Sequence, residues 1–334
     1  MQLEDFSKAL IMATPELAFL RRQLEDRKQR LEAAIALAPQ HASLDGLLRE
    51  VDSALERMAN GTYGFCQECH ESIEQDRLLA DPLICYCLTH MTESQLGALQ
   101  RDLDLAARVQ RNLLPPAGLC AGCWETGFHY TPHGQVSGDY CDLIPSDSGL
   151  FFVLGDVSGK GVAASMLMSQ LHALFRSLTR MSLPLEQIVV FANRIFCESA
   201  LAGHYATVVC GYARPNGDVE IHNAGHLPVV VLRPGDMLQV EATGLPLGMF
   251  CEVNFSRKQL HLDPGDMLFI YTDGFSEARR AEEEYGVDRI SKLLCQQGGR
   301  RPAEVIEACL RDRDSFIDSP PFDDVTLLAI RRTL

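Results

Sequence analysis

Leu150-Phe151-Phe152-Val153-Leu154 is apolar at every position and ends on Gly155-Asp156, with the glycine-rich turn Val157-Ser158-Gly159-Lys160-Gly161 directly behind it. An unbroken apolar run of this length reads as a buried strand. A buried strand does not end on a carboxylate unless something nearby offsets the charge. The same ending recurs. Asp139 sits in SGDYCD, Asp273 in LFIYTDGFSEA, and Asp323 with Asp324 in PFDDVTLLAI, each at a strand edge beside a turn or a glycine. One such aspartate is ordinarily a turn residue or a helix cap. Four sites of this kind gather several carboxylates at one edge if the strands lie side by side. Carboxylates crowded in a partly dry place raise one another's pKa unless cations neutralise them. Oxygen donors without histidine suit Mg2+ or Mn2+, so two divalent ions are the expected partners.

The runs GLFFVLGDV, YATVVCGYA, DVEIHNAGH, LPVVVLRPG, DMLFIYTDG and DVTLLAIRR are strand-like, and turns such as Pro215-Asn216-Gly217-Asp218 and Pro264-Gly265-Asp266 separate them. Helical patterns lie near 162–181, 184–200, 286–297 and 302–316. Strands in clusters with helices between them predict an α+β fold, two packed sheets flanked by helices, over 115–334. Upstream the texture is helical. Leu17, Leu20, Leu24, Leu31 and Ile35 recur at helical spacing up to Pro39, and Leu44, Leu48, Val51, Leu55 and Met58 form a heptad-like seam. These predict a helical hairpin over 1–60. A further helix over 92–114 carries Leu96, Leu99, Leu103, Ala106 and Leu113 in a heptad broken by Gln110. It is expected either as a homodimer seam or as a linker helix packed on its own domain.

The net charge of −15 leaves few spare cations for phosphate backbones, so nucleic-acid binding is not expected. The opening Met1-Gln2-Leu3-Glu4-Asp5 is acidic, no apolar segment follows it, and no run approaches transmembrane length. A cytoplasmic location is expected, and the twelve cysteines then read as thiols or metal ligands.

Between 61 and 91 the cysteines are dense. Cys66 and Cys69 form C-x2-C, Cys87 and His90 form C-x2-H, and seventeen residues separate the pairs. Ligand type and spacing fit a tetrahedral zinc ion with every position filled, a structural Zn2+. The plainer alternative is a cluster of reduced thiols. The phrase ALERMANGTYGFCQECHESIEQDRLLADPLICYCLTH resembles the DksA/TraR zinc-finger family, with His90 in place of the usual fourth cysteine. Members of that family insert an acidic hairpin tip into RNA polymerase. Here the tip, LAPQHASLD, holds Asp45 as its only acid, so the module reads as a borrowed zinc finger for folding, dimerisation or sensing.

From Val109 to Leu334 the series VQRNLLPP, SGDYCD, GDVSGKGVAASMLM, YATVVCGYA, NAGHLP, GLPLGM, LDPGDMLFIYTDGFSEAR, YGVDRI and DDVTLLAI resembles the SpoIIE/RsbU branch of the PPM metal-dependent serine/threonine phosphatases. The resemblance implies a β-sandwich flanked by helices, with metals at one end. Asp156 would bridge two metals and the Val157 carbonyl would bind one. Asp273 and Asp323 would complete the other, and Asp139 would hold metal-bound water. Asp142 and Asp324 match acidic positions of the pattern, Asp324 being counted with the metal ligands. The implied reaction is hydrolysis of phosphoserine or phosphothreonine by a two-metal-activated water. The implied substrate is a phosphorylated STAS-domain anti-anti-sigma factor in partner-switching signalling. The rival reading is a DksA-like regulator of RNA polymerase with a non-catalytic phosphatase-like domain. Lys160 and His226 read as a solvated turn lysine and a structural turn histidine. Cys120 and Cys123 read as free thiols, and Arg108 and Arg111 are candidates to hold the phosphate.

Overall fold

The computed structural model describes residues 15–37, 42–90, 93–181, 183–200, 203–281, 283–318 and 322–333. The chain divides into two compact units, Met1–Arg101 and Asp102–Leu334.

In the first unit α1 (Pro15–Leu37) packs on α2 (Ala42–Ala59). Leu20 and Leu24 meet Val51, Ala54 and Met58 in one apolar cluster, and Lys28 pairs with Asp52 at 2.6 Å. The predicted hairpin tip falls partly on residues 38–41, which lie outside the described residues. The same cluster takes in Tyr63, Cys66, Ile73, Leu78 and Cys87. The cysteine-rich segment therefore shares the hairpin's core rather than building its own. It adds one short helix, α3 (Gln75–Ala80), that the sequence pattern did not announce. The helix expected over 92–114 is α4 (Glu93–Leu113), and the division between the units falls inside it.

The second unit holds two antiparallel sheets. One has the order β3 (Asp139–Ser146), β4 (Gly149–Val157), β5 (Ala206–Ala213), β6 (Asp218–Ala224), β9 (Lys258–His261). The other runs β1 (Cys120–Ala121), β2 (Trp124–Thr131), β13 (Val325–Arg332), β10 (Met267–Tyr271), β7 (Val229–Arg233), β8 (Asp236–Val240). A small hairpin, β11 (Arg279–Arg280) with β12 (Glu283–Glu284), stands apart. The first sheet is covered by α5 (Gly161–Thr179) and α6 (Leu185–Ser199). The second is covered by α8 (Val287–Cys295) and α9 (Pro302–Phe316), with the single turn α7 (Asp273–Ser276) at its edge.

Strand alternation explains why β4 is apolar throughout. Leu150, Phe152 and Leu154 fill the layer between the sheets, where they join Leu268, Ile270, Leu328 and Ile330. Phe151 and Val153 point the other way, against Leu171, Phe175 and Ile188 of the helices. In β10, Leu268 and Ile270 point inward, while Met267, Phe269 and Tyr271 pack beneath Ile290 and Val305. Strands covered on both faces need apolar residues in both phases. The expected sandwich flanked by helices is the observed fold.

Asp142 of β3 is completely buried and is answered by α5. Arg176 donates from Nε to Oδ2 at 2.7 Å and from Nη2 to Oδ1 at 2.9 Å. This aspartate, which the sequence pattern placed among the acidic positions, anchors a helix to the sheet. Arg176→Ala strands a buried carboxylate and is expected to cost about 3–5 kcal/mol in chemical denaturation. A loss within 1 kcal/mol, measured against the same principle, would mean that Asp142 finds another partner.

Cys197, near the end of α6, is joined by a disulfide to Cys251 in the loop after β8. This corrects the expectation that the cysteines are thiols or metal ligands. The fold brings two residues 54 apart in sequence to a Cα–Cα distance of 5.5 Å, which spacing along the chain does not reveal. Among the described residues no helix is long and apolar enough to cross a membrane.

Candidate metal and active site

The alternation that fills the sandwich also brings its acids together. In β3 the inward phase of Leu143 and Cys141 continues to Asp139, and in β4 that of Leu154 continues to Asp156. Asp139 and Asp156 are register partners across β3 and β4. In the other sheet the inward phase of Leu268 and Ile270 reaches Thr272, and that of Leu328 reaches Thr326. Both threonine hydroxyls donate across the gap to Asp139 Oδ2, Thr272 at 3.0 Å and Thr326 at 2.5 Å. Asp139, 1% exposed, is thus tied to the opposite sheet. Asp273 follows Thr272 and opens α7, while Asp323 and Asp324 lead into β13.

Two glycines permit these approaches. A Cβ on Gly274 would collide with the Asp324 carbonyl oxygen, so only glycine lets the Asp273 turn lie against the Asp323-Asp324 backbone. A Cβ on Gly138 would lie 2.9 Å from the Val157 carbonyl oxygen, the backbone oxygen the resemblance nominates as a ligand.

The charge is incompletely answered. Burial, then the charges of Asp273, Asp323 and Asp324, push the Asp156 carboxyl up to about 8 against the opposing effect of Lys160. Burial and the neighbouring Asp156 raise Asp139 well above the usual range, while the threonine hydrogen bonds oppose this. Asp273 is raised by burial and by Asp323. Lys160 in the Ser158–Gly161 turn pairs with Asp323 at 2.7 Å and donates to the Phe322 carbonyl at 2.8 Å. Lys160 is the solvated turn lysine expected, 57% exposed, and from that turn it serves Asp323 as a counter-ion. A cluster of oxygen donors, buried enough to resist ionisation and left with surplus negative charge, fits a hard divalent cation.

Not every acid is equally placed for it. Asp324 accepts His133 N–H at Oδ1 (2.7 Å) and Gly138 N–H at Oδ2 (3.0 Å), which clamps the segment before Asp139. Arg108 and Arg111 lie exposed on α4. The C-x5-R spacing of a cysteine-based phosphatase occurs at Cys251–Arg257 and Cys295–Arg301. Cys251 is consumed by the disulfide, and Cys295 is the exposed last residue of α8.

His226 proves to be a strut. Its Nε2 lies 3.0 Å from the Tyr271 carbonyl and its Nδ1 2.8 Å from the Thr207 hydroxyl, so a neutral ring protonated on Nε2 serves both. Thr207 faces Asp156 across β4 and β5, and Tyr271 stands two residues before Asp273. Burial lowers the imidazole to about 4. The unfolded chain takes up this proton near pH 6.5 and the folded chain near 4. Stability from this group is therefore intact above pH 6.5 and falls as the pH drops between the two, by up to about 3 kcal/mol. Denaturant midpoints at pH 7 and pH 4.5 should show that loss in wild type and a smaller one in His226→Gln.

In the first unit the donor atoms of Cys66, Cys69, Cys87 and His90 all lie within 4.8 Å of one another. The Cys69 and Cys87 sulfurs are 3.8 Å apart, and His90 Nδ1 lies 3.8 Å from Cys66 Sγ and 3.2 Å from Cys87 Sγ. Ligands about 2.3 Å from a tetrahedral zinc put two sulfurs about 3.8 Å apart, so the donor set and its spacing fit that ion. The turn reverses at His70, which has φ 59°, and Gln67 N–H bonds to the Cys85 carbonyl, joining the two halves. Cys85 stays outside the group. Among the described residues no other set of three or more such donors is drawn together to this degree.

The sequence model described as Stage II sporulation protein E (SpoIIE) matches residues 146–333, more than half of the chain. The chain belongs to the SpoIIE family. The match takes in Asp156, Asp273, Asp323 and Asp324 and begins downstream of Asp139. Protein IcfG of Synechocystis sp. is 29% identical over 268 residues, 71% of this chain and 42% of IcfG. The chain therefore spans less than half the length of that relative. Phosphoserine phosphatase RsbU of Bacillus subtilis is 25% identical over 284 residues, covering 80% of this chain and 83% of RsbU. The PP2C domain of SiaA from Pseudomonas aeruginosa superposes with a TM-score of 0.62 at 17% identity, over 72% of this chain and 99% of that domain. The PP2C phosphatase domain and regulatory fragment of SpoIIE from Bacillus subtilis gives 0.57 at 19% identity, over 63% and 64%. The SpoIIE-family region of this chain thus has the PP2C-type phosphatase fold, preceded by N-terminal helices.

The sequence singled out Asp139, Asp156, Asp273 and Asp323, and the structure brings them to one end of the sandwich. It did not single out Thr272, Thr326, Ser137 or Gln110. A polar residue in the inward phase of the apolar run VTLLAI was the available signal for Thr326.

Proposed function

We propose that the chain is a metal-dependent protein serine/threonine phosphatase acting on a phosphoprotein. The observation that carries this reading is the approach of Asp273, just after β10, and Asp323, just before β13, to the Asp139–Asp156 pair of the other sheet, close enough for their charges to raise the Asp156 carboxyl. Asp156, the Val157 carbonyl, Asp273, Asp323 and Asp139 are assigned to hold two Mn2+ or Mg2+ ions. Asp324 accepts one backbone N–H at each oxygen and keeps a lone pair on each, so it is assigned both to the ligand set and to positioning. Bound there, such ions supply Lewis acidity and a water of lowered pKa for in-line attack on phosphorus. The protein's own share is orientation. The threonines fix one oxygen of Asp139, Asp324 fixes the loop beneath it, and Lys160 holds a cation beside the cluster, against Asp323.

The substrate class follows from the resemblance set out above and from the likeness to RsbU: a phosphorylated STAS-domain anti-anti-sigma factor in a cytoplasmic partner-switching pathway. Cys66, Cys69, Cys87 and His90 are assigned to one structural zinc in a DksA/TraR-like finger. The test is manganese-dependent phosphate release from a phosphoserine protein, with Asp156→Ala alongside. Release that disappears in the variant and in chelator supports the reading. Release that persists in either one would sink it.

A further inference from the structure

Gln110 interrupts the apolar seam of α4, yet it is 4% exposed while its neighbour Val109 is 54% exposed. A buried primary amide is costly unless its hydrogen bonds are satisfied. Gln110 is engaged at both ends. Its Nε2 donates to the Ser137 carbonyl at 2.7 Å, and its Oε1 accepts from Ser137 N–H at 3.0 Å and from the Tyr130 hydroxyl at 3.1 Å. Ser137 presents a donor and an acceptor together, which fixes the orientation of the glutamine amide. A helix side chain thereby pairs with one backbone residue as a neighbouring strand would.

That backbone residue leads directly to the site. Ser137 Oγ accepts Asp139 N–H at 3.0 Å, and Gly138 N–H, between them, donates to Asp324. The approach to Asp139 is therefore gripped from two sides, by α4 through Gln110 and by the opposite sheet through Asp324. Ser137 is fully buried, so losing the Gln110 amide leaves its N–H and carbonyl unpaired where water does not reach.

We infer that Gln110 is a positioning residue for the metal site: by holding Ser137 it holds Asp139 ready for a divalent cation. The inference rests on the metal-dependent reading above and extends it to a residue outside the acid cluster. A glutamine that merely docked the helix would affect stability and leave metal affinity alone.

The full-length chain, stripped of divalent ions, is titrated with Mn2+ by calorimetry as wild type, Gln110→Met and Tyr130→Phe, and each is melted in chelator. Gln110→Met is expected to bind Mn2+ 10–100-fold more weakly, roughly the loss seen when groups orienting a metal ligand are removed. In phosphate release it should need correspondingly more Mn2+ for half-activation, with KM for the phosphoprotein unchanged. Tyr130→Phe removes one bond to Gln110 and a contact to the Ser137 side chain but keeps the Gln110–Ser137 backbone pair, so its Mn2+ affinity should stay close to that of wild type. A Gln110→Met protein that melts lower but binds Mn2+ normally would overturn the inference, as would an equal loss in Tyr130→Phe. If Gln110→Met does not fold, Ser137→Ala keeps the backbone pairing and removes the acceptor for Asp139 N–H. Undiminished Mn2+ affinity there would likewise overturn it. Wild type that binds no Mn2+ would bring down the metal reading and this inference together.

Discussion

Asp156→Asn should abolish phosphate release, by on the order of a thousandfold or more, and at the same time make the metal-free protein harder to unfold. The first effect exceeds the 10²–10³ typical of deleting one preorganised hydrogen-bond donor, because on the proposed function Asp156 would serve both ions. The second follows from the raised Asp156 carboxyl, at about 8. An unfolded aspartate ionises near 3.9, so between that pH and 8 the folded state holds a proton that the unfolded state gives up. Stability from this group is therefore present at low pH and drains away as the pH rises through that window. Asparagine removes the liability, and the gain in chelator at pH 8 is expected to be about 1–3 kcal/mol, shrinking toward pH 5. Added Mn2+ should reverse the order, because only wild type gains ligand-linked stability. Equal denaturant midpoints for the two proteins at pH 8 in chelator would show that Asp156 is not under electrostatic pressure.

Stripping the cysteine site should have a larger but more local effect. Structural zinc contributes on the order of 10 kcal/mol to small modules of this kind. A strong chelator, or Cys69→Ser, is expected to release amide protection at Gln67 and Ile73, whose N–H groups bond to Cys85 and Gly64 across the module. Amides in β4 and β10 belong to the other compact unit and should exchange as before. Protection that survives chelation would mean the four side chains are a cluster of thiols and an imidazole, with no structural metal.

What could be read in the sequence were features carried by short stretches of chain. The apolar runs at β4, β5, β6, β7, β10 and β13 and the helical stripes of α5, α6, α8 and α9 lie where they were expected. The strand-ending aspartates were visible because a carboxylate after an apolar run is locally anomalous. What stayed hidden depends on partners remote in sequence. Asp142 looked like a site acid until Arg176, 34 residues on, was seen to hold it. Asp324 matched an acidic position of the pattern, but its hold on the His133 and Gly138 N–H groups, 191 and 186 residues back, was not visible. Cys197 and Cys251 gave no pairing signal, and Gln110 showed only as a flaw in a heptad. Its reason, Ser137, lies 27 residues on, beyond β1 and β2.

The four acids of the sandwich are divided equally between its sheets, and they are made in two instalments. Asp139 and Asp156 leave the ribosome more than a hundred residues ahead of Asp273, and Asp323 comes later still, just before β13 inserts between β2 and β10. Until that strand is in place, Asp139 lacks the Thr326 hydroxyl and the loop before it lacks Asp324. A nascent or clipped chain can thus bury much of its apolar surface and still hold no complete acid cluster. Order of synthesis and order of assembly thus differ: the strands that carry the first two acids are made long before the segment that completes the cluster.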